Sequence, residues 1–185
     1  PELNNPLELH IRHVPDGHFT NQVFRSLTVN DLLRFQGPYG TFFLRDSPNL
    51  PAILVAGGTG LGPIKAILEE AFCENIERQL HLFWGTRARR DLYLHDKIKQ
   101  WTDQHANLTY TPVLSEPLAD DQWPGETGWV HESVLKTFSD LSEVEVYASG
   151  PPPMIEASCA AFTDHGLPTE RFFFDSFEFA LDGIE

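Results

Sequence analysis

The chain has 185 residues, enough for one or two domains with cores of their own. Its 13 Lys and Arg face 27 Asp and Glu, and the net charge of −14 repels nucleic acid and anionic lipid headgroups, which excludes both as main partners. Two cysteines, Cys73 and Cys159, lack C-x-x-C spacing and are too few for a disulfide scaffold; they favour a reducing, cytoplasmic setting in which both pack as small apolar side chains.

No apolar run approaches the roughly 18 residues that cross a bilayer, and no basic-then-apolar signal pattern opens the chain. The opening at Pro1, within the polar "PELNNP", points to a processed product or a piece of a longer protein. "LELHIRHV" (7–14) alternates as a strand does, a short helix is expected from about Thr20 to Ser26, and "TVNDLLRFQGPYGTFFLR" (28–45) reads as two strands around the turn "GPYG". Strands without a helix layer leave open edges and bury little apolar surface, so residues 1–47 are read as the end of an antiparallel unit. "RDSPNLP" (45–51) is the linker.

Beyond it the period changes. Ile53 to Ala56 form a short apolar strand, and Ile64, Ile67, Leu68, Ala71 and Phe72 recur on one helix face. "LHLFW" (80–84) is the second strand, and Leu94, Ile98 and Trp101 mark a helix running from about Asp91. "LTYTPVL" (108–114) is the third strand, followed by a short helix near 132–138 in which His131 and Glu132 form a cap region. "VEVYAS" (144–149), a helix from 152 to 164 stopped by Gly166 and Pro168, and "RFFF" (171–174) complete the pattern. Strands alternating with helices predict an α/β fold, a five-stranded parallel doubly wound sheet over residues 48–185.

The turn after the first of these strands, "GGTGLG", carries Gly57, Gly58, Gly60 and Gly62, with Pro63 suited to the first turn of the following helix. Glycines there let a backbone approach phosphate at a helix N-terminus. A P-loop would need Lys and Ser or Thr directly after the last glycine, where Pro63 stands. A G-x-G-x-x-G fingerprint has Pro63 in its last position, and "GTR" (85–87) replaces the acid expected at the second strand's end. A methyltransferase-like G-x-G-x-G is present at Gly58, Gly60 and Gly62, with the same acid missing. A turn that only packs helix on strand remains the plain alternative. Eight histidines include no H-E-x-x-H or zinc-like cluster, so no metal site is expected.

Two further segments narrow the choice: "YASGPPPMI" (147–155), a second Gly-Pro turn after the fourth strand, and the aromatic "FFFDSFEF" (172–179). With "GPYGTFFLR", "VLSEP" and "GETGWVHE" they resemble the ferredoxin-NADP reductase superfamily, in the bacterial branch of flavin reductases, oxygenase reductase components and CDP-6-deoxy-glucoseen reductases. The resemblance implies an NAD(P)H-binding domain after the C-terminal part of an FAD-binding β-barrel. Hydride would pass from NADH or NADPH to FAD, and electrons onward to an acceptor such as a ferredoxin-like domain, an oxygenase or a dehydrase component. Many relatives carry a [2Fe-2S] domain upstream, whose cysteines would lie outside this sequence.

On this resemblance Gly57, Gly58, Thr59, Gly60, Gly62 and Pro63 hold the pyrophosphate, and Gly150, Pro151, Pro152 and Met154 shape the opposite wall. Ser149 stands where the family often has Cys beside the nicotinamide. Asp175 orients or relays, and Phe177 covers the flavin ring; Phe172 and Phe174 are expected in the core. "GHFT", with Gly17, His18 and Thr20, resembles a flavin pyrophosphate turn, although Thr20 also suits a helix N-cap. Thr86 and Arg87, with Arg89 and Arg90, lie where a ribose would sit; guanidinium groups suit a 2'-phosphate, yet arginines on that loop are common in NADH-using relatives. The Arg-x-Tyr-Ser or Arg-x-Phe-Ser flavin motif is absent, which implies that this stretch alone holds FAD weakly or not at all. Outside this class stand a dinucleotide-sensing module without turnover and, further off, a methyltransferase.

Overall fold

In the computed structural model, residues 7–37, 39–47 and 49–177 are described; "PELNNP", Pro38 of "GPYG", Pro48 of the linker, and Glu178 and Phe179 lie outside them. The chain divides into two compact units, Pro1–Thr41 and Phe42–Glu185. None of the described helices is long and apolar enough to cross a membrane.

In the first unit the described residues form one helix, α1 (His18–Arg25), and no strand. The segment expected as a strand at 7–14 and the described residues of 28–45 run as turns and irregular chain. A strand's backbone groups need a neighbouring strand to bond, and no described segment of the unit supplies one. Asp31 instead ties off a turn, its Oδ2 accepting the Thr28 N–H at 2.6 Å, with Asn30 at φ 81°.

The second unit is a sheet of β1 (Ala52–Gly57), β2 (Leu80–Thr86), β3 (Leu108–Leu114), β4 (Glu126–Thr127), β5 (Glu145–Gly150) and β6 (Phe172–Ser176), in the order β4-β3-β2-β1-β5-β6. Every pairing is parallel. The sheet has one strand more than expected; β4 is a two-residue edge without an apolar period to reveal it. The connecting helices are α2 (Leu61–Cys73), α3 (His95–Gln104), α4 (Val130–Thr137) and α5 (Pro152–Asp164).

β1 is buried along its whole length, which requires apolar side chains on both faces. Leu54 and Ala56 join Leu61, Ile64, Leu68, Trp84, Ile98 and Tyr147 in one core. Ile53 and Val55 join Phe83, Val130, Val134, Val146 and Phe162 in the other. α3 begins at His95 rather than near Asp91, because Arg89–Asp91 turns as a 3-10 segment whose Asp91 carboxylate accepts the Ala88 N–H at 3.1 Å. Glu132 accepts the Trp129 N–H at 3.3 Å, the capping role expected at the start of α4. Cys159 is half-buried against the second core, but Cys73 is exposed, because it falls at the solvent side of the last turn of α2.

Phe42 and Leu44 pack against the first core, so residues 42–47, read from the sequence as part of the preceding unit, run with the sheet. A buried polar network fixes them there. Arg78 Nη2 donates to Glu145 Oε2 at 2.8 Å, and its other guanidinium nitrogens reach the Leu50 and Arg45 carbonyls. Tyr147 Oη donates to Glu145 Oε2 at 2.6 Å and accepts the Arg45 N–H at 2.9 Å; Ser47 Oγ donates to Glu145 Oε1 at 2.6 Å.

Candidate functional site

β1 lies where the strand order reverses: β2, β3 and β4 extend to one side, β5 and β6 to the other. In open parallel sheets the crevice outside the carboxyl ends at such a point is the ligand site. Two turns rich in glycine and proline leave adjacent strands there, since Ala56 pairs with Ser149 across β1 and β5. Each turn feeds a 13-residue helix, and neither α2 nor α5 has an acidic residue in its first turn. Two uncompensated positive dipole ends thus meet at one crevice, an arrangement that favours an anion.

The first turn is built by close approach. Gly58 takes φ 55° and Gly58–Gly60 winds as a 3-10 turn into α2, with Pro63 in the first helical turn. A methyl built on Gly60 would overlap the Ser149 carbonyl, so only glycine lets this turn seat against β5. No described residue lies within 4 Å of a Cβ on Gly58, which leaves open space above the turn. Met154 closes the other side: a Cβ on Gly57 would lie 2.5 Å from its Sδ and 3.0 Å from Pro151 Cδ. Thr59 and Gly62 are half-buried at the mouth, and Pro151 is exposed beside the half-buried Pro152. Trp84, fully buried at the end of β2, donates its indole N–H to the Gly58 carbonyl at 2.9 Å.

Beyond β5 the ladder pairs Ser149 with Asp175 and Gly150 with Ser176, and the Phe177 N–H donates to the Gly150 carbonyl at 3.0 Å. Paired residues share a sheet face, so Ser149 and Asp175 lie side by side at the end of β5 and β6. Ser149 is fully buried, and its Oγ has no hydrogen-bond partner among the described residues. Burial pushes the Asp175 carboxyl above the usual aspartate range. Phe177 is half-buried. Phe172 is in the core beside Phe162 of α5, but Phe174, two residues further along the same face of the edge strand, is 55% exposed.

At the ends of β2 and β3, Thr86 is buried and donates its hydroxyl to the Ala88 carbonyl at 3.2 Å, so it shapes the loop and offers a ligand little. Arg87 is exposed with its Nε 3.9 Å from Glu116 Oε1, and the Glu116 N–H donates to the Arg87 carbonyl at 2.8 Å. Arg89 donates its backbone N–H to Asp121 Oδ2 and its Nη1 to the Asp121 carbonyl, both at 3.2 Å. Arg90 is exposed.

In the first unit Gly17 is the N-cap of α1, and the helix starts at His18 rather than at Thr20. The Thr20 hydroxyl is spent on the chain itself, accepting the Val14 N–H at 3.2 Å and lying 3.1 and 3.3 Å from the Val14 and Gly17 carbonyls.

Trp84 and Glu116 lie outside the residues singled out from the sequence. Trp84 reads there as one more apolar strand residue; only the pairing of Gly57 with Gly85 brings its indole beneath the glycine turn. Glu116 belongs to "VLSEP", whose carboxylate meets Arg87 only once β2 and β3 pair in register.

Comparisons with known proteins accord with this geometry. Residues 54–160 match the family model described as oxidoreductase NAD-binding domain, and residues 1–44 match the oxidoreductase FAD-binding domain model. The chain is 43% identical over 177 residues to CDP-6-deoxy-L-threo-D-glycero-4-hexulose-3-dehydrase reductase of Yersinia pestis, covering 96% of this chain and 53% of that protein. It is 33% identical over 184 residues to the phenol 2-monooxygenase reductase component DmpP of Pseudomonas sp. (strain CF600), covering 99% and 52%. The crystal structure of Amycolatopsis cytochrome P450 reductase GcoB superposes with a TM-score of 0.84 at 28% identity, covering 91% of this chain and 51% of that one. The chain spans about half the length of the curated relatives it matches.

Proposed function

The chain belongs to the oxidoreductase NAD-binding domain family, and from that premise we propose that it is the NAD(P)H-binding part of a flavin-dependent reductase. The observation that carries the reading is the crevice at the strand reversal, where the Gly57–Gly60 turn and the Gly150–Pro151 turn meet so closely that only glycine fits at position 60. Open space above Gly58 and two helix N-termini suit a dinucleotide with its pyrophosphate on the first turn. Gly57, Gly58, Thr59, Gly60, Gly62 and Pro63 hold that group; Gly150, Pro151, Pro152 and Met154 form the facing wall. We read the division of labour as residues 1–47 serving FAD and 48–185 the nicotinamide, a reading supported by the matches of 1–44 and 54–160 to the two family models, with 42–47 packed along the sheet.

FAD, when bound, supplies the hydride-accepting ring and releases electrons singly or in pairs. Ser149, buried at the end of β5, positions the nicotinamide from beneath the turn, Asp175 holds a proton or orients the ring from the paired strand, and Phe177 covers the flavin face. The backbone amides of His18 and Thr20 at the start of α1 serve the flavin phosphates; Gly17, whose N–H donates to the Val14 carbonyl, caps the helix, and the Thr20 side chain stiffens the turn that presents them. Electrons pass to a ferredoxin-like [2Fe-2S] domain, an oxygenase or a dehydrase component, and the protein works in the cytoplasm.

In an anaerobic mixture of the chain, excess FAD and NADH, the flavin's visible absorbance is expected to bleach faster than without the chain. A rate no faster than that background, with NADH demonstrably bound, would return the chain to a dinucleotide-sensing role. Binding of S-adenosylmethionine in place of NADH would make it a methyltransferase.

A further inference from the structure

The indole of Trp84 is fully buried among the apolar side chains of the first core, yet its N–H does not face another apolar group: it donates to the Gly58 carbonyl at 2.9 Å. Trp84 pairs with Ala56, so the ring stands on the neighbouring strand just where β1 runs into the glycine turn. Tyr93 stands edge-on to the indole at 5.2 Å, with the ring planes 89° apart, and braces it. The Leu61 N–H reaches the same Gly58 carbonyl as the 3-10 turn closes, so that oxygen accepts twice.

A trans peptide is planar and carries its C=O and N–H on opposite edges. Two donors that hold the Gly58 carbonyl toward Trp84 and the helix therefore turn the Thr59 N–H the other way, out of the core. Gly58 needs such a hold. At φ 55° and without a Cβ, it leaves the peptide that follows it free to rotate, and a rotated peptide would present a carbonyl oxygen to an anion in place of an N–H.

Resting on the nucleotide reading above, we infer that Trp84 is a positioning residue for the pyrophosphate, which it touches only through the Gly58–Thr59 peptide. Its indole N–H locks that peptide with the Thr59 N–H aimed at the anion. The two hydrogen bonds also reinforce one another. When the Thr59 N–H donates to a phosphate oxygen, the Gly58 carbonyl becomes more negative and draws the Trp84 N–H closer. A tryptophan that only fills the core has no such response.

The test follows the indole N–H signals of the whole chain by proton–nitrogen NMR during titration with inorganic pyrophosphate, which carries no ring whose current could move them. The Trp84 signal, assigned by its contact with the Tyr93 ring, is expected to move downfield and to saturate together with the Thr59 amide. Trp123, whose N–H donates at the same 2.9 Å to the Glu126 carbonyl, is the control and should stay in place. Trp84→Phe keeps an aromatic ring and deletes the donor; if folded by thermal melting, it should bind both pyrophosphate and NADH about three- to tenfold more weakly. A Trp84 signal that stays fixed while the Thr59 amide saturates, or a folded Trp84→Phe with unchanged affinities, would overturn the inference and leave the nucleotide site standing. The wild-type titration decides alone where the variant does not fold. A folded wild-type chain that binds neither pyrophosphate nor NADH would overturn the site reading and the inference together.

Discussion

Gly60→Ala tests the closeness of the two turns. The added methyl meets the Ser149 carbonyl and lies 2.9 Å from the Gly150 nitrogen, and these are backbone atoms that cannot swing aside. The 3-10 turn and the end of β5 must separate by roughly 1 Å to restore ordinary contact distances. Overpacking of this kind costs about 1–3 kcal/mol, and about 2 kcal/mol in a chain of this size lowers Tm by about 4–8 °C. The same displacement opens the cradle, and a misplacement of about 1 Å can cost up to about 100-fold where groups must be aligned; we predict at least tenfold weaker NADH binding. Gly58→Ala is the control, with no described residue within 4 Å of its Cβ and only the backbone cost of φ 55°, about 1 kcal/mol. Thermal melting and calorimetry of both variants give the comparison. Unchanged melting and unchanged NADH affinity in Gly60→Ala would refute the packing argument.

Glu145→Gln strips the countercharge from buried Arg78 and is expected to destabilise the fold by about 3 kcal/mol in urea. Burial alone would raise the Glu145 pKa, but hydrogen bonds from Ser47, Tyr147 and Arg78 and the Arg78 charge outweigh it and hold the carboxyl below its ordinary value of 4.5. The wild type should therefore lose stability as pH falls below 4.5 and through the lower folded pKa, and the variant should show a shallower loss; identical slopes would sink this assignment. Ser149→Ala removes a buried hydroxyl without a partner among the described residues, so stability should hold or rise by up to about 1 kcal/mol while NADH-driven flavin reduction slows. Loss of stability would show that the hydroxyl is bonded after all. Asp175 has a raised folded pKa, so its burial costs stability as pH rises from the ordinary 3.8 through that value. Asp175→Asn should be at least as stable as the wild type in urea at neutral pH, and a less stable variant would contradict this.

Periodicity made the nucleotide-binding half legible: the Ile64, Ile67, Leu68 stripe and the buried runs in β1 and β5 are written in local sequence, and the helix expected over 152–164 is α5 as observed. The two glycine turns were legible for the same reason, since few physical demands other than close approach ask for glycine so often. What was hidden depends on register. The Trp84 bond to Gly58, the Glu116 partner of Arg87 and the Glu145 network join residues far apart in the chain, and nothing local marks them. The alternation in "LELHIRHV" shows the opposite failure: a strand-like period without a neighbouring strand among the described residues to complete its hydrogen bonds.

The most direct test of the central claim is amide chemical-shift mapping of the chain on titration with NADH. The account predicts saturable shifts concentrated at Gly57 to Gly62 and at Ser149 to Met154. Saturable binding whose shifts fall elsewhere, or no binding by the folded chain, would contradict it.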